Sequence, residues 1–362
     1  MKICFFGSSL VSSYWNGAAT YYRGILKALA ALGHEIIFFE PDAFERQSHR
    51  DIPDPEWARV IVYPATAEGW QRSLEEASSS ADLLIKASGV GVFDAELETA
   101  MVETPSRARR VYWDVDAPAT LDEIAANPKH HLRKAIPNYD IVFTYGGGTP
   151  VVKAYRAAGA RDCVPIYNAL DPAHHFPVDP VAQFASDLGF LGNRLPDRES
   201  RVDAFFLAAA RRLPSKQFLL GGSGWDNKHV PRNVRRTGHV GTADHNGFFC
   251  SSLATLNVNR ESMARYGYSP PTRIFEAVGA GACLITDRWK GIDLFLEPNR
   301  EVLVAADGDE VAAHLDGLTA TRAREIATRA RRRILAHHTY AQRAVQVHEV
   351  LEGSFTQAGA AG

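Results

Sequence analysis

The sequence predicts an α/β protein made of two Rossmann-like, doubly wound parallel-sheet domains. Three observations predict it. Short continuous apolar runs alternate with stretches of helical periodicity, the pattern of strands buried on both faces by crossover helices. Several of those runs end in small or acidic residues. The alternation stops once, at a proline- and histidine-rich stretch, and then restarts. A length of 362 residues suits two domains better than one.

The elements follow in order. "KICFF" reads as a buried strand, and "GSSLVSSYWNG" as a polar loop. "AATYYRGILKALAALG" has apolar residues at helical spacing and stops at Gly33, a good C-cap. "HEIIFFE" is the next strand and completes a βαβ unit. "ADLLIKASG", "ARRVYWDVD" and "YDIVFTYGGG" read as strands, followed by the helix "PVVKAYRAAG" and the short strand "CVPIY". The stretch Asn168 to Val181, "NALDPAHHFPVDPV", reads as an interdomain linker. Beyond it, "DLGFLGN" is a strand, "RESRVDAFFLAAARRL" a helix and "KQFLLGGSG" a strand. "NVRRTGHVG" leads into "HNGFFCSSLATLNVN". "SPPTRIFEAVGAGACLITD" reads as a helix start, a short apolar helix, a glycine-rich turn and a buried strand. A long helical pattern from about Ala312 to Glu352 is interrupted near His337 to Ala341. The expected domains are residues 1–170 and 171–335, with 336–362 a helix returning to the first.

Composition narrows the function. Hydrophobic residues make up 46% and charged residues 23%, enough for ordinary cores, and a formal charge of -2 gives no electrostatic case for nucleic acid or an anionic membrane. Cys4, Cys163, Cys250 and Cys283 are far apart, so neither a zinc site nor a disulfide framework is expected. No apolar run approaches the ~20 residues that span a bilayer. "MKICFFGSS" enters a strand directly, without a signal peptide's regions, so a cytoplasmic setting is the simplest expectation. The basic run Arg329 to Arg333 reads as a solvated helix face.

In open parallel sheets, ligands sit beyond the carboxyl ends of the strands. Candidate segments therefore lie near Gly7, Gly89, Asp114 and Gly146 in the first half, and near Gly192, Gly222, His239 and Arg260 in the second. Glu276 stands out, because a carboxylate sits among Ile274, Phe275, Ala277 and Val278. Pro270 and Pro271 suit a first helical turn, and Ser269 is placed to cap it. Thr272 and Arg273 then lie where a helix start attracts phosphate. Glu276, one turn on and on the same face, can accept both hydroxyls of a ribose. The plainer alternative is an Arg273–Glu276 surface pair. Arg260 ends a strand as a phosphate clamp or a salt bridge. Asn193, Arg194 and Arg198 form the first turn of the second domain, where one arginine suits a diphosphate and the other solvent. In the first half, Asp114 and Asp116 spell D-x-D, a weak metal signal on its own. They are read as cleft carboxylates that serve or orient an acceptor hydroxyl, with helix capping the alternative for Asp116. Ser8, Asn16, Gly17 and Gly147 sit on loops that would approach an acceptor or phosphate.

Two long segments carry a family resemblance. "NGAATYYRGILKALAALGHEIIFFEPD" resembles the opening of nucleotide-sugar glycosyltransferases of the GT-B fold. "LNVNRESMARYGYSPPTRIFEAVGAGACLITDRWKGIDLFLEPNREVLVA" closely resembles the C-terminal, group 1-type domain of CgeB-like (spore-maturation) glycosyltransferases. The linker "PIYNALDPAHHFPV" also matches where such enzymes change domains. The resemblance covers nearly the whole chain. It implies a GT-B fold and transfer of a sugar from a nucleotide-sugar, a UDP-sugar favoured, to an unidentified acceptor, with no metal or other cofactor. It assigns Glu276 to the donor ribose and the "GHV" segment around His239 to the base. Many relatives carry a second glutamate eight residues before the first. Here that position is Tyr268, so the contact with the transferred sugar falls to Tyr268, Arg260 or Asn259. The competing readings are a non-catalytic nucleotide-sugar binding protein, a GT-B epimerase and an NAD-dependent oxidoreductase. Glu40 ends the second strand as a dinucleotide-binding acid would, but "GSSLVSS" is not G-x-G-x-x-G.

Overall fold

The computed structural model describes residues 1–14 and 16–359, with side chains described to residue 353. The chain forms two compact units, Met1–Asn168 with Tyr340–Gly362, and Ala169–Thr339. Among the described residues, no helix is long and apolar enough to cross a membrane.

The first unit holds seven strands: β1 (Lys2–Phe6), β2 (Glu35–Asp42), β3 (Arg59–Pro64), β4 (Leu83–Ala87), β5 (Arg109–Asp114), β6 (Ile141–Thr144) and β7 (Cys163–Pro165). They form one sheet in the order β3-β2-β1-β4-β5-β6-β7, every pairing parallel. Because helices cover both faces of such a sheet, its central strands are mostly apolar, with Glu40 of β2 and Lys86 of β4 among the fully buried charged exceptions. Phe5 pairs with Phe38 and Phe6 with Phe39 in register, their rings stacked at 5.3 and 4.6 Å. All four are fully buried, each worth about 1.5–3 kcal/mol relative to exposure. The sequence pattern does not reveal β3 or the helix Ala67–Ser80. β3 is an edge strand with much of its length exposed, so it lacks a core strand's pattern. Its signals are the β-branched run Val60-Ile61-Val62 and Thr66, whose Oγ1 caps the helix by accepting from the Gly69 N–H at 3.1 Å.

The terminal helix, Tyr340–Gly359, belongs to this unit. Tyr340 fits against Gly24 so closely that a Cβ there would lie 2.2 Å from its ring. Arg109 donates to the Leu351 carbonyl at 2.9 Å, and Gln346 to the Pro165 carbonyl at 3.2 Å.

The second unit holds β8 (Ser186–Leu191), β9 (Phe218–Gly221), β10 (Val234–Gly238), β11 (Ser252–Asn257), β12 (Leu284–Asp287) and β13 (Leu303–Ala305). They pair in parallel in the order β10-β9-β8-β11-β12-β13. Strand order reverses between β8 and β11, the switch point where such sheets open a ligand crevice. Phe206 lies between Phe190 and Phe218, at 5.9 and 5.5 Å, and anchors the core. The predicted long helical pattern is three helices, Gly308–Asp316, Ala320–His337 and Tyr340–Gly359. The second break falls at His338 and Thr339, inside the interruption read from sequence.

Candidate functional site

The switch point of the second unit gathers most of the predicted donor residues. β8 ends at Leu191 and runs into Gly192 and Asn193. β9 ends at Gly221, and Gly222 follows at φ 116°. A Cβ on Gly222 would lie 2.3 Å from the Gly192 carbonyl oxygen, so glycine is required both by that approach and by its backbone conformation. Asn193 Oδ1 accepts from the Ser223 N–H at 3.0 Å, and Trp225 Nε1 donates to the Gly192 carbonyl at 2.8 Å. These bonds lock the two loops together.

Arg273 enters from the helix Thr272–Gly279. Its Nε donates to the Leu191 carbonyl at 2.6 Å and its Nη1 to Asn257 Oδ1 at 2.8 Å, with the guanidinium over the Phe190 ring. Arg198 comes from the helix Pro196–Val202, and its Nη1 donates to the Asn193 carbonyl at 3.1 Å. Both guanidiniums converge on Gly192. A Cβ there would meet Arg273 Nη2 at 2.8 Å and Arg198 Nη1 at 3.2 Å. Burial, and next the charge of Arg198, push Arg273 down to about 9. Two cations are thus held together where a buried positive charge is costly. Asn257, fixed by Asn259 and Thr286 at 3.0 Å each, holds Arg273 in place. Asp287 accepts from the Asn259 N–H at 3.1 Å and from Arg201 at 2.6 Å. The sequence does not single out Asn257, Asp287 or Arg201; the polar residues closing "LATLNVN" and "LITD" are the signal for the first two, and Arg201 sits in the helix Pro196–Val202 with none.

Glu276 lies one turn beyond Arg273, half-buried, and its carboxylate makes no hydrogen bond or ion pair among the described residues. The Arg273–Glu276 surface pair therefore does not form. Arg273 instead points into the sheet end, 9% exposed. One carboxylate oxygen of Glu276 and one ring nitrogen each of His175 and His245 lie within 4.8 Å of one another. Burial, foremost, lowers the pKa of His245, opposed chiefly by Glu276.

Other predicted residues take different places. Pro271 is the N-cap of the helix that bears Glu276, and Ser269 does not cap it, because its Oγ donates to the Gly267 carbonyl at 3.1 Å. Thr272 is the first helical residue. Tyr268 adopts φ 49° and packs over Gly291, where a Cβ would meet its ring at 2.3 Å. Arg194, part-exposed, makes a two-pronged pair with Glu199, both bonds 2.7 Å. Arg260 Nε donates to Asp197 Oδ2 at 2.6 Å. His239 is exposed just past β10.

In the first unit, Asp114 is fully buried. It accepts from Ser88 Oγ at 2.8 Å, Thr120 Oγ1 at 3.1 Å, the Asp116 N–H at 2.9 Å and the Tyr155 hydroxyl. Burial pushes its carboxyl up to about 6, against those hydrogen bonds. Asp116 is the N-cap residue of Ala117–Ala126 but makes no side-chain cap bond. Asn16 braces the first loop by donating to the Ser9 and Ser12 carbonyls at 2.9 and 3.0 Å and accepting from Ser8 Oγ at 2.9 Å. A Cβ on Gly17 would meet nothing within 4 Å, whereas Gly147, at φ 89°, starts a helix. Glu40 is fully buried and accepts from Ser9 Oγ at 3.0 Å, the Leu10 N–H at 2.6 Å and Gln47 Nε2 at 2.6 Å. Its acceptor positions serve its own chain, unlike those of a dinucleotide-binding acid.

Two Rossmann-like units of this sheet order make up the GT-B fold of glycosyltransferases, as the sequence predicted. Residues 198–349 match the model of the glycosyl transferase-like family. The chain is similar in structure to a sucrose-phosphate synthase from Thermosynechococcus elongatus, with a TM-score of 0.71 at 15% identity over 99% of this chain and 100% of that one. It is also similar to Anabaena HepE in complex with UDP and glucose, at TM-score 0.66 and 15% identity over 98% and 100%. An α-glucosyltransferase in complex with UDP and a 13-mer DNA gives TM-score 0.70 at 11% identity over 97% and 99%. No curated protein matches the sequence.

Proposed function

We propose that this chain is a glycosyltransferase that moves a sugar from a nucleoside diphosphate sugar, a UDP-sugar by preference, to an acceptor nucleophile. One observation carries the reading. Arg198 and Arg273 converge on Gly192 at the switch point, one helical turn before a carboxylate that has no protein partner among the described residues. Like charges held together favour a bound dianion, and a free carboxylate suits ribose hydroxyls. The departing diphosphate is stabilised by these arginines and by the start of the helix Thr272–Gly279, with Thr272 adding a hydroxyl, so no metal is needed. His239 and Gly222 border the nucleoside. Asp116 orients the acceptor hydroxyl, and buried Asp114 acts only by holding that turn.

HepE and the α-glucosyltransferase, both solved with UDP, support the choice of base. The long C-terminal motif supports a CgeB-like member of the group. The four free cysteines suit a reducing compartment, and we place the reaction in the cytoplasm.

Nucleoside diphosphate release, measured over a panel of donors with and without acceptors, tests this. Release from a UDP-sugar is expected. Tyr268, in place of a carboxylate, favours one second reading, a binding protein without catalysis. Binding with no turnover across the panel would establish it. Conversion of the donor sugar without acceptor would mark an epimerase.

A further inference from the structure

We propose that His175, His245 and Glu276 form a binding site for a first-row transition metal ion, zinc above all, and that the bound ion competes with the nucleotide donor. Three potential ligand atoms, one from each residue, already lie within 4.8 Å of one another. Both imidazoles have an unused nitrogen. His175 Nε2 and His245 Nδ1 are buried with no hydrogen-bond partner among the described residues. Buried polar atoms of that kind call for a water or an ion. His175 is only 3% exposed, so bulk water does not serve it.

The scaffold sets the two rings side by side without help from a metal. His175 lies in the segment entering the second unit, where its N–H donates to the Asp171 carbonyl at 3.0 Å. His245 opens the helix His245–Cys250. The next residue, Asn246, donates its Nδ2 to the His174 carbonyl at 2.8 Å and so ties helix to segment. The two rings lie 6.1 Å apart and 29° from parallel. Bond lengths of about 2.0–2.2 Å to nitrogen and oxygen require the three ligand atoms to draw together. Glu276 supplies that movement, being half-buried, long and without a hydrogen-bond or ion-pair partner among the described residues.

The donor set selects the ion. Two imidazoles and one carboxylate suit zinc and its neighbours, whereas calcium and magnesium demand oxygen. Three protein ligands leave one position of a tetrahedron for water. The competition rests on the reading of Glu276 as the ribose acceptor. A carboxylate committed to a cation has less charge and fewer lone pairs for ribose hydroxyls.

The test begins with full-length protein stripped by EDTA, desalted and titrated with cobalt(II), read by visible d–d absorption. Saturation near one equivalent is expected, with reversal by zinc. Cobalt affinity should fall at least about tenfold in His175→Gln, His245→Gln and Glu276→Gln. Glu276→Gln, which breaks no protein hydrogen bond, covers the case of a histidine variant that fails to fold. UDP affinity is then compared in EDTA and with one equivalent of zinc. It should drop about tenfold with zinc, and the difference should vanish in Glu276→Gln. A titration that does not saturate, or one that all three variants leave unchanged, overturns the metal site. UDP affinity unaffected by zinc overturns the competition. Saturable cobalt binding with no UDP binding under either condition keeps the site and removes the nucleotide reading instead.

Discussion

Glu40 and Glu276 look alike in the sequence, each an acid at a place where a nucleotide's ribose is often held. The fold treats them in opposite ways. Glu40 is fully buried, and Ser9, Leu10 and Gln47 all donate to it. Glu276 is half-buried, and no described residue donates to its carboxylate. A carboxylate saturated by its own chain stabilises a loop. One left unsatisfied by a chain that satisfies its neighbours is held for something else.

The largest effect should come from breaking the saturated partner. Glu40→Ala strands two donors and a backbone N–H in the core and should cost about 3–5 kcal/mol of stability by denaturant unfolding. A loss under 1 kcal/mol would mean that the loop does not depend on it. Glu276→Ala should do the reverse, leaving the unfolding midpoint within about a degree while weakening UDP binding by about 2–3 kcal/mol, roughly 30- to 150-fold. An unchanged dissociation constant would remove the ribose assignment.

Asp114 sharpens the comparison by pH. It is a buried carboxyl raised from 3.8 to about 6 by desolvation. The native state therefore holds its proton more tightly than the unfolded chain, so its contribution is fully present below about pH 4 and fades as pH rises through 6. Asp114→Asn should flatten that fall, on the order of 2–3 kcal/mol, and a slope unchanged between wild type and variant would contradict it. The smallest expected effect is the absence of a loss: excess EDTA should not lower turnover. Loss restored by a divalent ion would revive the D-x-D reading of Asp114 and Asp116.

The sequence exposes some of these features and hides others for physical reasons. Central strands such as "KICFF" are apolar on both faces, so period and composition reveal them. Glu276 was visible because a charge interrupts an apolar helix. The closure of Glu40 was not, since its partners Ser9 and Leu10 come from another element. His175 and His245 were invisible as companions of Glu276, because only folding brings three distant segments together. Arg194 and Arg198 read as equivalent; a nearby Glu199 engages one, while the other turns toward Gly192.

The second unit begins and ends at one spot. Leu170 and Thr339 form a parallel bridge, and the Leu170 N–H donates to the His338 carbonyl at 2.8 Å. A segment whose two ends meet closes on itself before it is joined to anything else. It is in effect an insertion cassette: residues 169–339 form a loop of sequence that a foreign host chain could receive at a single exposed turn, carrying the arginine pair and Glu276 with it.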